Sequence, residues 1–136
     1  MDSFQVTNTR SFHQDTDIVT LTLKVGNQEF GPVTKSMGDL NNGDFPVNLI
    51  IDPGVTIDSK APVVFSYKIE NKGHETWNIS PDCDGTVAED TVSTTGAGLA
   101  GFTEPVTKMF HYPTACRVQF GQGYSDYAVT WSAHQK

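Results

Sequence analysis

The sequence predicts an all-β fold, an antiparallel β-sandwich (Ig-like or jelly-roll-like) with a long, partly helical insertion near residues 81–104. Three observations predict it. Apolar residues recur with a period of two along most of the chain, the signature of strands with one buried face. Turn signals built on Gly, Pro, Asn and Asp separate these runs at short intervals, which favours many short strands over βαβ units. One long stretch, 81–104, lacks the alternation.

Phe4 and Val6 open the first strand. Val19, Leu21, Leu23 and Val25 alternate with Thr20, Thr22 and Lys24 and form the clearest one. Val47, Leu49 and Ile51 repeat the pattern, as do Val63, Phe65, Tyr67 and Ile69 against Ser66, Lys68 and Glu70. Toward the C-terminus, Cys116, Val118 and Phe120 form one candidate strand. Tyr127, Val129 and Trp131 form another, with Trp131 assigned to the core by its phase. Turns are expected at Gly26-Asn27, Gly31-Pro32, Asn42-Gly43-Asp44, Asp52-Pro53-Gly54, Asn71-Lys72-Gly73 and Gly121-Gln122-Gly123. Within 81–104, Thr86 with Glu89 three residues on resembles an imperfect capping box, so a short helix is expected there. Gly96, Gly98 and Gly101 would limit its length.

At 136 residues the chain reads as a single domain, 1–136, large enough to fold on its own core. The formal net charge is -7, from 16 acidic and 9 basic residues. The basic residues are scattered singly, so phosphate backbones would be repelled and nucleic acid is not an expected partner. No apolar run reaches the roughly 20 residues of a membrane span. The start, Met1-Asp2-Ser3-Phe4, has no basic n-region and no apolar h-region. A cytoplasmic chain, or a processed secreted one, is therefore expected. Cys83 and Cys116 are the only cysteines. A bridge between them would add about 3–4 kcal/mol in an oxidising compartment, and in a reducing one they stay free.

Candidate site residues follow from topology. If successive strands run up and down, the connections near 10–17, 38–44 and 71–85 share one end. Those connections carry Asp15, Asp17, Asp39, Asp44, Glu75, Asp82 and Asp84, whereas the opposite ones carry only Glu29, Asp52 and Asp58. Crowded carboxylates repel unless a cation neutralises them, and Ca²⁺ takes six to eight oxygen ligands. Asp15, Asp17, Asp39, Asp44, Asp82 and Asp84 are the candidate ligands, with calcium as an optional organiser. Asn42-Gly43 reads first as simple hairpin chemistry, with the calcium site as the alternative. Trp77 and Tyr124, beside Asn78 and with Asn41 at the same end, form a candidate carbohydrate contact: the rings stack on a sugar and the amides bond its hydroxyls.

Enzyme motifs fail on inspection. Gly96-Ala97-Gly98-Leu99-Ala100-Gly101 matches a dinucleotide fingerprint by letter, without the βαβ context. His74-Glu75 is not followed by the second histidine of a zinc-protease motif. The expected function is a non-catalytic recognition module binding a carbohydrate or another surface ligand through loops at one end. The alternatives are a self-assembling, homo-oligomeric protein and, further off, a small enzyme with a His/Asp metal site near His13 and His74.

Overall fold

The computed structural model describes residues 3–8, 16–39, 43–72, 85–113 and 124–134. The chain is mostly β, and all strand pairs among the described residues are antiparallel. Eight strands follow in order: β1 Ser3–Asn8, β2 Thr16–Val25, β3 Gln28–Asp39, β4 Gly43–Pro46, β5 Pro62–Lys72, β6 Gly85–Thr95, β7 Val106–Pro113 and β8 Tyr124–Trp131. They form two four-stranded sheets, ordered β4-β1-β8-β7 and β3-β2-β5-β6.

Both sheets feed one core. Val19 and Leu21 of β2, Tyr67 and Ile69 of β5, and Val87 and Ala88 of β6 cluster with Phe110 of β7 and Tyr127, Val129 and Trp131 of β8. The alternation read from sequence is the alternation of burial: Val19, Leu21 and Leu23 are buried, while Thr20, Thr22 and Lys24 are not. Trp131 is buried, as its phase requires.

Three expectations are corrected. Residues 85–95 form no helix: they are strand β6, laid along β5, and Thr86 sits in the ladder opposite Glu70 rather than capping a helix. The β-branched run Thr91-Val92 and Thr94-Thr95 suits a pleated surface. A bulge hid the pattern, because the register shifts between Ile69 and Glu70 and leaves Val87 and Ala88 buried side by side. Among the described residues the helical element is one short 3₁₀ helix, Ala97–Phe102, beyond that strand. Second, Gly31-Pro32 lies inside edge strand β3, where the register opposite Leu21 and Leu23 shifts. A proline that cannot donate is tolerated at such a place. Gly31 has φ +90 and a Cβ there would come within 3.0 Å of the Leu21 carbonyl oxygen, so only glycine fits. Third, Val47, Leu49 and Ile51 alternate in burial without ladder bonds, because Asn48 adopts φ 52 and breaks the extended geometry. The Lys35 ammonium meets the Val47 carbonyl instead, at 2.7 Å. The candidate strand through Cys116, Val118 and Phe120, and both cysteines, lie outside the described residues.

The alternation of strand direction holds. Thr16 pairs with Asp39 and Lys72, and Asn71 with Gly85, so four strand ends of one sheet sit together. In the other sheet Val6 pairs with Gly43, Asn8 with Asp126 and Pro113 with Tyr124, which gathers four more. The Tyr127 hydroxyl reaches Asp17 across the sheets, so all eight ends share one end of the molecule.

The opposite end is closed. β2 turns into β3 at Gly26-Asn27, with Gly26 at φ 58 as a tight hairpin requires. Gly96 N–H donates to Ala61 O at 3.0 Å, Ala97 N–H to Ser59 O at 2.9 Å and Ala133 N–H to Phe102 O at 2.9 Å. Phe102 stacks on Trp131, centroids 4.8 Å apart, and Phe65 lies 5.1 Å from the same indole. Gly96 is where this closure is tightest, since a Cβ there would meet the Asp58 carbonyl oxygen at 2.0 Å. Gly96→Ala is expected to cost about 2 kcal/mol through backbone displacement. Gly101→Ala, with nothing within 4 Å, should change stability by under about 0.5 kcal/mol. Urea unfolding of the two variants checks the contrast.

Candidate functional site

Beneath the end where the eight strand ends meet lies a small polar cluster inside the core. Asp17, Asn71 and Ser125 are the buried polar residues of the described structure, at 1%, 2% and 0% exposure. Asp17 and Asn71 face each other across the β2–β5 ladder, and the Asn71 amide donates from Nδ2 to Asp17 Oδ1 at 2.9 Å. The Tyr127 hydroxyl, arriving from the other sheet, donates to Asp17 Oδ2 at 2.5 Å. Ser125, two residues before Tyr127 on the same face of β8, donates to Tyr112 O at 3.5 Å. Asn71 Oδ1 is buried without a hydrogen-bond partner among the described residues.

The sequence-predicted site residues are distributed as follows. Asp17 is in β2, fully buried in this cluster. Asp44 is in β4 and exposed. Asp39 ends β3 and Tyr124 opens β8, both at the shared end. Asp15, Asn41, Trp77, Asn78, Asp82 and Asp84 lie outside the described residues, as do His13 and His74. Among the described residues no group of three or more His, Cys, Asp or Glu side chains is arranged to hold a metal. Of the remaining histidines, His111 Nδ1 lies 2.5 Å from Asp126 Oδ1 on adjacent β7 and β8, and His134 Nε2 lies 2.9 Å from the Ser132 hydroxyl.

Sequence reasoning missed Asn71 and Tyr127 as partners of Asp17, and Ser125 as a third buried polar residue, although the signal was present. Asp17 shares the odd phase of Val19 and Leu21, Asn71 that of Tyr67 and Ile69, and Ser125 that of Val129 and Trp131. A polar residue continuing a buried phase must bring its own hydrogen-bond partners inside.

A second set of polar groups sits where edge strands β6 and β7 approach each other. Lys108 Nζ lies 3.1 Å from Asp90 Oδ1 and 5.5 Å above the Phe110 ring. Tyr67, buried behind them, meets Phe110 edge-on at 6.1 Å. Its hydroxyl has no hydrogen-bond partner among the described residues. Burial first, then the nearby Asp90 carboxylate and Tyr112 hydroxyl, push the Tyr67 phenol well above the ordinary tyrosine value. On the outer face of β2, β5 and β6, Thr22, Ser66 and Thr91 follow one another across the ladder, beside a shallow depression.

Comparison with family models, with curated proteins and with solved structures returns no match to this chain. No helix among the described residues is long and apolar enough to cross a membrane.

The Tyr67 environment fixes an alkaline limit on stability. The folded state holds the phenolic proton more tightly than the unfolded chain. The stabilisation is therefore complete below the unfolded value of about 10 and is lost as pH rises through it toward the raised folded value. Between about pH 10 and 11.5, unfolding free energy should fall more steeply in the wild type than in Tyr67→Phe. Urea titrations at stepped pH measure both slopes.

Proposed function

We propose that this chain is a non-catalytic recognition module, built as a two-layer β-sandwich, that contacts a carbohydrate or a comparable polar surface through the end where the eight strand ends meet. The observation that carries the reading is the asymmetry between the two ends. One is closed by the 3₁₀ helix, the Phe102–Trp131 stack and backbone hydrogen bonds. At the other, the strand ends of both sheets meet over a buried polar floor. Loops anchored on rigid strands are the usual carriers of recognition. The sandwich arrangement is supported by the single core cluster drawn from both sheets.

The contact residues in this reading are Trp77, Asn78, Tyr124 and Asn41, the aromatic and amide groups whose chemistry suits a sugar ring. Calcium, held by Asp15, Asp39, Asp44, Asp82 and Asp84, is its optional organiser. Asp17 belongs to that acidic set by sequence. In this reading it acts as the floor, since its carboxylate already accepts from Asn71 and Tyr127. Self-assembly is the second reading, favoured by the exposure of Met109 and Ile50, at 80% and 77%.

A glycan array at pH 7, run with and without EDTA, tests the first reading. Binding to a defined glycan class is expected, weakened about tenfold or more by Trp77→Ala, the equivalent of about 1.4 kcal/mol. Silence on the array in both conditions, with a stable oligomer by light scattering, would contradict recognition and favour self-assembly.

A further inference from the structure

The edges of the two sheets are not equally protected. A strand at a sheet edge presents a row of backbone N–H and C=O groups with which another strand can pair. β3 is interrupted by register shifts and by Pro32, and it carries Lys35. β4 is only four residues long and ends in Pro46. β7 carries Lys108 and ends in Pro113. Short length, lysine, proline and bulges all blunt an edge. β6, the fourth edge, has 11 residues and contains neither lysine nor proline. Its bulge lies near its start, where the register shifts between Ile69 and Glu70. From Glu89 to Thr95 it runs unbroken along β5, opposite Lys68 to Pro62. Among the described residues, this stretch makes no backbone-to-backbone hydrogen bond outside the β5 ladder.

The last part of that stretch reads Thr91-Val92-Ser93-Thr94-Thr95, rich in β-branched residues and uncharged. Such a segment favours the addition of a further strand. The two acids before it already have partners within the chain: Glu89 with Lys68 at 3.9 Å and Asp90 with Lys108 at 3.1 Å. We propose that β6 is the interface of a homodimer, pairing antiparallel with β6 of a second copy so that two sheets join edge to edge. A two-fold axis at Val92 sets Val92 against its own copy, Thr91 against Ser93, Asp90 against Thr94 and Glu89 against Thr95. Each pair then lies on one face, since Glu89, Thr91, Ser93 and Thr95 are the exposed positions and Asp90, Val92 and Thr94 the half-buried ones. Val92, packed against the rim of the core, gains an apolar neighbour. A two-fold at Asp90 would instead set that carboxylate against its own copy, and like charges directly opposite are destabilising. The placement of the acids therefore selects the register. Pairing over Glu89–Thr95 supplies about six to eight backbone hydrogen bonds. A copy of β6 meets this edge with equal length, matching faces and no opposed charges, and closed two-fold dimers are the commonest soluble assemblies. This edge is separate from the recognition end. The proposal rests on the self-assembly reading, to which it gives a contact surface.

Sedimentation equilibrium of the full chain over a wide range of protein concentrations tests this. A monomer–dimer equilibrium is expected for the wild type. Thr91→Lys combined with Ser93→Lys opposes lysines twice across the interface and should raise the dissociation constant about tenfold or more. Thr91→Lys combined with Ser93→Glu opposes lysine to glutamate at the same positions and should leave it within about threefold of the wild type. Both side chains are exposed, so these substitutions spare the core. A dimer as tight in the double-lysine variant as in the wild type overturns the β6 interface and leaves self-assembly standing. Equal weakening in the two variants overturns the register about Val92. A chain that stays monomeric at every concentration overturns the interface and the self-assembly reading together, while the glycan array continues to test recognition by itself.

Discussion

The structure depends on one buried carboxylate. Asp17 accepts from Asn71 within its own sheet and from Tyr127 in the other, a residue 110 positions away in sequence. Apolar residues of both sheets share one core cluster, but apolar contacts are not directional. A hydrogen bond between fixed strands is directional, so this one sets how β2 lies against β8 at a single point. Burying Asp17 is tolerable only because donors come to meet it, and removing one would leave a desolvated acceptor. The same bond fixes which strand ends lie together, and that decides where the connections of both sheets emerge.

The two ends of the molecule therefore differ in kind. At one, glycines permit close backbone approach, and the aromatic stack of Phe102 on Trp131 seals the core. At the other, the floor is polar, formed by Asp17, Asn71, Ser125 and Tyr127. The long edges differ as well. β3 is crossed by a Lys35 bond to the Val47 carbonyl, while β6 and β7 are linked through the Asp90–Lys108 pair. Edge strands β3 and β7 each carry a lysine, Lys35 and Lys108, which also discourages edge-to-edge pairing with another chain.

Much of this was legible from the residues. The strands carrying Val19 to Leu23, Phe65 to Ile69 and Tyr127 to Trp131 alternate in sequence, and each is found with the predicted face toward the core, Phe65 being only partly buried. Alternation of strand direction was also readable, and with it the shared end of the connections. What escaped was local irregularity. The bulge at Val87 and Ala88 disguised β6 as a helical insertion, and the bulge at Gly31-Pro32 disguised an edge strand as a turn. The positive φ of Asn48 kept Val47, Leu49 and Ile51 out of the ladder despite their pattern. For the candidate site, Asp17 shares the phase of Val19 and Leu21, yet the sequence reading placed it among the end carboxylates; its partners lie far away in sequence, and pairing at that distance leaves no local trace. Of the predicted ligands, only Asp17 and Asp44 have described side chains, one inside the core and the other on the surface.

The claim that Asp17 and Tyr127 clamp the sheets is tested most directly by a double-mutant cycle. Asp17→Asn leaves a single acceptor oxygen for two donors, and Tyr127→Phe removes one of those donors while keeping the ring. Urea unfolding of the wild type, both single variants and the double variant should give a coupling free energy of about 1.5–3 kcal/mol, the range for a hydrogen bond to a charged group. Effects that add to within about 0.5 kcal/mol would contradict the account, because independent sites behave that way.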